Sequence, residues 1–427
     1  MDGIRVFLLR RPSKATAVPK TLQALGLPIA CAQPSIGTTL ESSTRCGLDA
    51  TFLTEAGLVI DIPVGNGELI EMLPPRPIPL RDRPSPSRVA IIIPYYQRDG
   101  GILARALRSI AGQALNDAVL DIIVVDDTSP ASPADDIASV ALPSHIGLHL
   151  LRQPNGGPAA ARNAGLHFAE GLDVQYVAFL DSDDEWTADH LETAIRCLEA
   201  GADFYFCDNI RFGPNGRDAE IGFERTWPDR AVTSEIKALD ADRHTFIMPA
   251  RTAFNAFITS YPGQTSTVAF VSAHHRGVRF DETLRGAGED HLLWLEMIER
   301  GTAVAFSTCA NVVCGIGVNL YFSATGWDNP ATVSRYGFLS LLYSRILKSF
   351  ALMPDQAGEV LKRRDAALSL YAYLAVRNLL RGQAPDKRLL AQIIRATPFG
   401  VVRLMYLALA VTRRSREDRL RLAQLIR

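Results

Sequence analysis

The sequence predicts an α/β protein built on a doubly wound, mostly parallel sheet. Three observations carry that expectation. Between Arg88 and Cys207 short apolar runs alternate with helical stretches, the pattern of strands joined by crossover helices. Val89–Ile93 is apolar throughout, as suits a strand buried on both faces. Polar, acidic or Gly-rich motifs follow directly on four of the runs, where ligand sites in open α/β sheets lie.

Taken in order, Val89–Ile93 is a strand, Ile102–Ala114 a helix, Leu120–Val125 a strand, Pro133–Val140 a short helix and Leu148–Leu151 a strand. The helix Ala159–Glu170 precedes the strand Val174–Leu180, the helix Ala188–Ala200 and the strand Asp203–Cys207. Beyond about residue 210 the periodicity fades in an Arg/Asp-rich stretch and resumes at Ser266–Ser272. Leu284–Arg300 contains a helix carrying Leu292, Leu293, Leu295, Met297 and Ile298. From Arg335 onward the chain is expected to be helical, with core-facing stripes at Leu339, Leu342 and Ile346 and at Leu368, Leu370, Tyr371 and Leu374. Residues 1–72 offer a strand at Arg5–Leu9, a helix near Pro19–Leu25 and a strand at Gly57–Ile62, with no legible chemistry. Six prolines within 73–88 mark an extended linker. The expected organisation is therefore an N-terminal segment (1–72), a linker (73–88), an α/β domain (89–334) and a helical C-terminal region (335–427).

A chain of 427 residues with 47% hydrophobic and 21% charged residues is ordinary for a globular protein. Its net charge of −1 hides an asymmetry, since residues 355–427 carry 15 Lys/Arg against 6 Asp/Glu. A basic tail beside an acidic body suits an anionic surface as partner, or simply a solvated helical face. Arg403, Arg413, Arg414, Arg416, Arg419 and Arg421 lie beside Leu404, Tyr406, Leu407, Leu409 and Val411. That mixture fits peripheral membrane contact, and equally a helical cap or dimer contact. The six cysteines show no CxxC pair and read as buried thiols in a reducing compartment. The start lacks the apolar core of a signal peptide, and no run approaches the ~18–20 apolar residues of a spanning helix. The expected location is cytoplasmic, at most peripheral on the inner face of the cell membrane.

Chemistry concentrates at the strand ends. Ile93-Pro94-Tyr95-Tyr96-Gln97 follows the first strand of the α/β region, and a Tyr there offers a flat ring to a nucleobase or plugs a turn. Val124-Val125-Asp126-Asp127-Thr128-Ser129 follows the second, where a carboxylate accepts a base N–H or caps a helix. Asn155-Gly156-Gly157-Pro158 leads into a small-residue helix whose N-terminus favours anions, with Arg162 adding a charged fork. No Gly-Lys-Ser/Thr follows, so this is not a Walker loop. Asp181-Ser182-Asp183-Asp184 ends the strand that finishes Phe179-Leu180. Several carboxylates together cost repulsion unless a cation or a set of donors offsets it. Hard oxygen ligands suit Mg2+ or Mn2+, and the plainer alternative is an Asp cluster capping the next helix. Gly286-Ala287-Gly288-Glu289-Asp290 opens a helix, where a carboxylate is a cap, or a general base if folding brings it over the acidic cluster.

In combination and in this order, IPYYQ, VVDDTS, NGGPAAARNAG, FLDSDDEW and GAGED resemble the family 2 glycosyltransferases of the GT-A fold over roughly residues 88–325. Gly100-Gly101-Ile102-Leu103, Arg152–Pro158 and Gly317-Val318-Asn319 look like the bacterial exopolysaccharide glucosyltransferases of the succinoglycan type. The resemblance implies an inverting, metal-dependent enzyme that transfers a sugar, glucose by this likeness, from a UDP-sugar to a growing surface polysaccharide or a lipid-linked oligosaccharide. Position by position it implies that Pro94, Tyr96, Asp127, Arg162, Asp181 and Ser182 bind the nucleotide sugar. Tyr96 would stack on uracil, Asp183 would bind Mg2+ or Mn2+, and Asp290 would be the catalytic base. Two departures stand out. Gln97 occupies a position where the family usually has Asn, and Phe322 one where relatives can place a metal-assisting His. Water, His274, His275 or His291 are the substitutes considered for that ligand. Two rival functions remain. A sugar-1-phosphate nucleotidyltransferase would need a basic Gly-rich loop where Tyr95-Tyr96-Gln97 stands. A catalytically degenerate nucleotide-sugar-binding or scaffold protein could keep the fold without the activity.

Overall fold

A computed structural model describes residues 57–61, 86–115, 118–212, 219–221, 235–240, 244–315 and 326–426. The strand expected at Arg5–Leu9, the helix near Pro19–Leu25 and most of the proline-rich stretch lie outside these residues.

Among the described residues twelve strands form one sheet: β1 (Gly57–Asp61), β2 (Ser87–Tyr95), β3 (Ala118–Asp126), β4 (Ile146–Arg152), β5 (Tyr176–Phe179), β6 (Glu185–Trp186), β7 (Phe204–Phe212), β8 (Ala219–Ile221), β9 (Lys237–Asp240), β10 (Thr245–Pro249), β11 (Ala269–Val271) and β12 (Ala303–Cys314). The order is β1-β4-β3-β2-β5-β11-β7-β12-β10-β9, with β6 on β12 and β8 on β7. Strands β1 to β5 pair in parallel, β11 runs antiparallel between β5 and β7, and β12 is again parallel to β7. The doubly wound, mostly parallel expectation holds, with an antiparallel insertion. Because β1 pairs with β4, part of the N-terminal segment is an edge strand of this sheet.

The helices are α1 (Ile102–Ala111), α2 (Ala134–Ala138), α3 (Pro158–Ala169), α4 (His190–Glu199), α5 (Ala250–Thr259), α6 (Glu289–Arg300), α7 (Pro330–Ser349), α8 (Pro354–Leu379), α9 (Lys387–Ala396), α10 (Gly400–Thr412) and α11 (Arg416–Gln424). Successive side chains of a strand face opposite sides, and here both sides are covered. Ile92, Ile123 and Val125 point into a core shared with Leu166 of α3 and Trp294 of α6. Ile91, Ile93, Ile122 and Val124 point into a second core with Leu103 and Leu107 of α1 and Leu191 of α4. Gly165 lets α3 lie directly on β2, since a Cβ there would collide with Ile92. The first core continues through α6 into α7 and α8, where Leu342, Ile346, Leu370 and Leu374 are buried.

The sequence reading did not anticipate β12, α5 or β10. β12 is 12 residues long but carries Ser307-Thr308 in its middle, and its register against β7 shifts there. It therefore shows neither a continuous apolar run nor an alternation.

Candidate active site

The carboxyl ends of β2, β3, β4 and β5 lie side by side. Asp127 N donates to Tyr95 O, Gln153 N to Asp126 O and Leu180 N to Ile92 O. All four strand-end motifs therefore converge at one edge of the sheet.

Strand alternation buries Tyr95 and leaves Tyr96 38% exposed, so Tyr96 presents a ring to solvent where a flat ligand can reach it. Pro94 is the last residue of β2 to pair with a hydrophobic partner, Val125. Gln97, which departs from the family pattern, turns inward. Its backbone N and O bond Ser129 Oγ, and its Nε2 donates to Ser182 Oγ at 3.0 Å. It thus ties the first motif to the acidic loop.

Asp127 is buried and already engaged. Its Oδ1 accepts from Gln153 Nε2 at 2.8 Å and Gly156 N at 2.7 Å, and its Oδ2 accepts from Gly157 N at 2.8 Å. The anion attracted by the N-terminus of α3 is therefore the chain's own carboxylate. A carboxylate has about four acceptor positions, so one on Oδ2 remains for a ligand. Gly157 sits at φ +89°, a conformation that L side chains rarely adopt.

Arg162 also faces inward. Its Nη2 donates to Asp181 Oδ1 at 2.8 Å and its Nη1 to Glu289 Oε1 at 3.3 Å, with the guanidinium 5.4 Å from the Phe280 ring. Burial opposes its charge, but Asp181 and Glu289 outweigh burial and hold its pKa above the usual value. Arg162, which the resemblance places close to the donor, here forms a bridge between Asp181 and Glu289. It joins the acidic loop to the first turn of α6. Burial and the neighbouring Asp290 push the Glu289 carboxyl up to about 7, against the pull of Arg162.

Within the acidic loop the carboxylates divide. Asp184 is buried and accepts from Ser266 Oγ at 2.6 Å, Gln264 Nε2 at 3.0 Å and Gly315 N at 2.8 Å. Burial, with repulsion from Asp183 and Asp181, pushes it up to about 8, while Ser266 and Gly315 pull the other way. Asp184 therefore braces the loop, while Asp181 and Asp183 stay half-buried. Among the described residues no three His, Cys, Asp or Glu side chains gather as a metal cage. Mg2+ and Mn2+ suit sites with one or two carboxylates, completing their shell with waters and substrate phosphates. The donor set Asp183 and Asp181 fits that habit, and the repulsion that raises Asp184 is what a cation would offset.

The three candidate histidines are engaged elsewhere or lie apart from the acidic loop. His274 bonds Asp203, which precedes β7 at the opposite edge of the sheet, and His275 is buried beside it. His291 gives its Nε2 to Phe257 O at 2.6 Å, and burial holds it below the usual value. Asn319 and Phe322 lie outside the described residues.

Asp290 is the second residue of α6, which follows Gly288, whose φ of 87° turns the chain into the helix. Its Oδ2 accepts from Tyr261 Oη and from Thr265 Oγ1 at 3.3 Å, and its Oδ1 accepts from His291 N at 2.7 Å. Ser266, next to Thr265, accepts from Asp181 N and donates to Asp184. Folding therefore does set Asp290 beside the acidic loop, through segment 264–266 on one side and Arg162 on the other. Sequence reasoning missed Glu289, Tyr261, Gln264, Thr265 and Ser266 as parts of this frame. Of these only Glu289 stood inside a quoted motif.

Residues 90–258 match the family model "Glycosyl transferase family 2". The succinoglycan biosynthesis protein ExoW of Rhizobium meliloti is 33% identical over 245 residues, which cover 57% of this chain and 73% of ExoW. The succinoglycan biosynthesis protein ExoO of the same organism is 26% identical over 243 residues, covering 53% of this chain and 60% of ExoO. Among solved structures, S. aureus TarS 1-349 in complex with UDP-GlcNAc has a TM-score of 0.47 at 18% identity, covering 72% of this chain and 84% of that chain. The chain belongs to glycosyltransferase family 2 and is a glycosyltransferase. Its doubly wound sheet agrees with the GT-A architecture that the motifs implied.

Proposed function

We propose that this glycosyltransferase transfers glucose from UDP-glucose, with inversion at the anomeric carbon and with a divalent cation, onto a growing surface polysaccharide or a lipid-linked oligosaccharide. The observation that carries the reading is the Arg162 bridge between Asp181 and Glu289, which sets Asp290 against the acidic loop. The roles of ExoW and ExoO in succinoglycan biosynthesis support a polysaccharide product.

In this reading the Tyr96 ring stacks on uracil, and the remaining acceptor position of Asp127 meets a base N–H. Pro94 and Ser182 line the same mouth. Asp183, with Asp181 at its side, would hold Mg2+ or Mn2+, which supplies positive charge against the diphosphate of the departing UDP. Asp290 takes the proton of the acceptor hydroxyl. That oxygen attacks the anomeric carbon from the face opposite the phosphate, a new C–O bond forms, and the electron pair of the broken bond leaves with UDP. Tyr261, whose phenol burial and Asp290 hold well above its usual range, keeps its proton and fixes the carboxylate by donating to it. The buried thiols Cys207 and Cys314 suit a reducing compartment, and we place the enzyme on the cytoplasmic side.

The test is the anomeric configuration of the product, read from the proton coupling at the new linkage after reaction with UDP-glucose. A β-linked product that forms only with Mg2+ or Mn2+ is expected. An α-linked product, or equal transfer in EDTA, would overturn the mechanism.

A further inference from the structure

Helix α10 is apolar on both flanks but packs with only one. Val402, Met405, Tyr406 and Leu409 recur at the three- and four-residue spacing of one helical face, and they are 71%, 62%, 67% and 61% exposed. Phe399, at the helix start, is 88% exposed. The other flank is anchored. Ala408 and Val411 are buried, Leu404 and Leu407 pack on the core, and Gly400 backs onto Ile394. Arg403 reaches Asp365 of α8 at 3.1 Å. A run of exposed apolar side chains of this kind marks an interaction surface rather than ordinary exterior.

Charge indicates what covers it. From Lys387 to Arg416 the chain carries seven Lys/Arg and no Asp or Glu. Among the described residues Arg395, Arg413 and Arg416 make no ion pair, and Arg413 and Arg414 directly follow the apolar helix. Guanidinium groups flanking an apolar face match phosphate headgroups above acyl chains.

The fold also decides between lying on a bilayer and crossing it. No single described helix is long and apolar enough to cross a membrane. α9 and α10 together pass by length and composition, but the chain turns through 102° between them. α9 is held in the core by Leu389 and Ile393, which press on Gly337 of α7. What remains available is the exposed face of α10, about 20 Å long at 1.5 Å per residue.

We propose that α10 and the arginines following it form a lipid-surface contact that seats the enzyme on an anionic bilayer. The exposed face enters the boundary between headgroups and acyl chains, and Arg413, Arg414 and Arg416 meet headgroup phosphates. The contact stands on this surface alone and is independent of which sugar is transferred.

The test is flotation of the full chain with vesicles of phosphatidylcholine and with vesicles of phosphatidylcholine and phosphatidylglycerol in equal parts. Flotation with the anionic vesicles, weakened by salt, is expected, with little on the neutral ones. Replacing the three arginines together (Arg413→Gln, Arg414→Gln, Arg416→Gln) should weaken binding on the order of 100-fold. Met405→Gln with Leu409→Gln should weaken it as well. Metal-dependent UDP binding measured on the same variants reports the fold and donor site separately from the membrane contact. Flotation unchanged in both variants would overturn the proposal. So would equal flotation on neutral vesicles, or absence of flotation with a dimer in light scattering that the apolar variant dissolves.

Discussion

Arg162 Nη2 stands 2.8 Å from Asp181 Oδ1, in a place where the arginine is almost wholly buried. The same guanidinium holds Glu289 at 3.3 Å. One side chain of α3 thereby fixes the distance between the strand-end acidic loop and the helix that carries Asp290. The frame of the site depends on this buried charge bridge.

Removing that bridge should be costly. Arg162→Met leaves two carboxylates without their cation, and breaking a buried pair from one side costs about 3–5 kcal/mol. Lysine offers a point charge rather than a fork, so Arg162→Lys should recover only part of the loss. Urea unfolding checks both variants, and a cost under about 1 kcal/mol for Arg162→Met would refute the bridge.

Gly315 is the second structural demand of the acidic loop. A Cβ there would overlap the carbonyl oxygen of Asp183, while its N–H serves Asp184. Gly315→Ala must therefore move backbone, at roughly 1–3 kcal/mol, and should weaken metal-dependent UDP binding. Gly358 in α8 has nothing within 4 Å of its added Cβ. Gly358→Ala should instead stabilise by about 0.5–1 kcal/mol.

Stability should form a plateau in pH. Burial lowers His190 to about 3 and His275 to about 4. Below about 6.5 the unfolded chain takes up protons that the folded one refuses, so both histidines make stability fall with falling pH. Burial raises Glu289 to about 7 and Asp184 to about 8. Between about 4.5 and those values the folded chain keeps protons that the unfolded one has lost, so these acids make stability fall with rising pH. The two pairs offset each other between about pH 4.5 and 6.5, and the losses appear outside that range. Thermal melts should therefore decline from pH 6.5 to 8, less steeply in Glu289→Gln. An unchanged slope in that variant would contradict the assignment.

The sequence carried the strands β2 to β5 and the motifs at their ends, because apolar runs flanked by polar chemistry are local signals. Asp181 and Asp183 could be picked out on that basis, and Asp290 from the motif that opens α6 together with the family resemblance. The frame around them could not, since Arg162 and Glu289 are 127 positions apart and neither residue type announces a partner. Thr265 and Ser266 belong to a single 3-10 turn, Thr265–Thr267, capped by Gln264, too short for periodicity to mark. The family resemblance implied that Arg162 lies close to the donor, and it gave no sign of the pairing with Asp181 and Glu289. His274 and His275 lie away from the acidic loop for a topological reason. Antiparallel β11 returns the chain to the far edge of the sheet, carrying His274 and His275 away from the acidic loop.

The most direct measurement is calorimetric titration of UDP, with Mn2+ and then with EDTA, into the parent chain, Asp183→Ala and Asp290→Asn, alongside turnover. The parent and Asp290→Asn should bind UDP only when metal is present, and Asp183→Ala should not bind. Asp290→Asn should also lose at least ~10³ in turnover, about 4 kcal/mol of barrier. UDP binding by Asp183→Ala equal to the parent's, or near-normal turnover in Asp290→Asn, would contradict the account, and a parent that binds no UDP under either condition would leave a fold without a donor site.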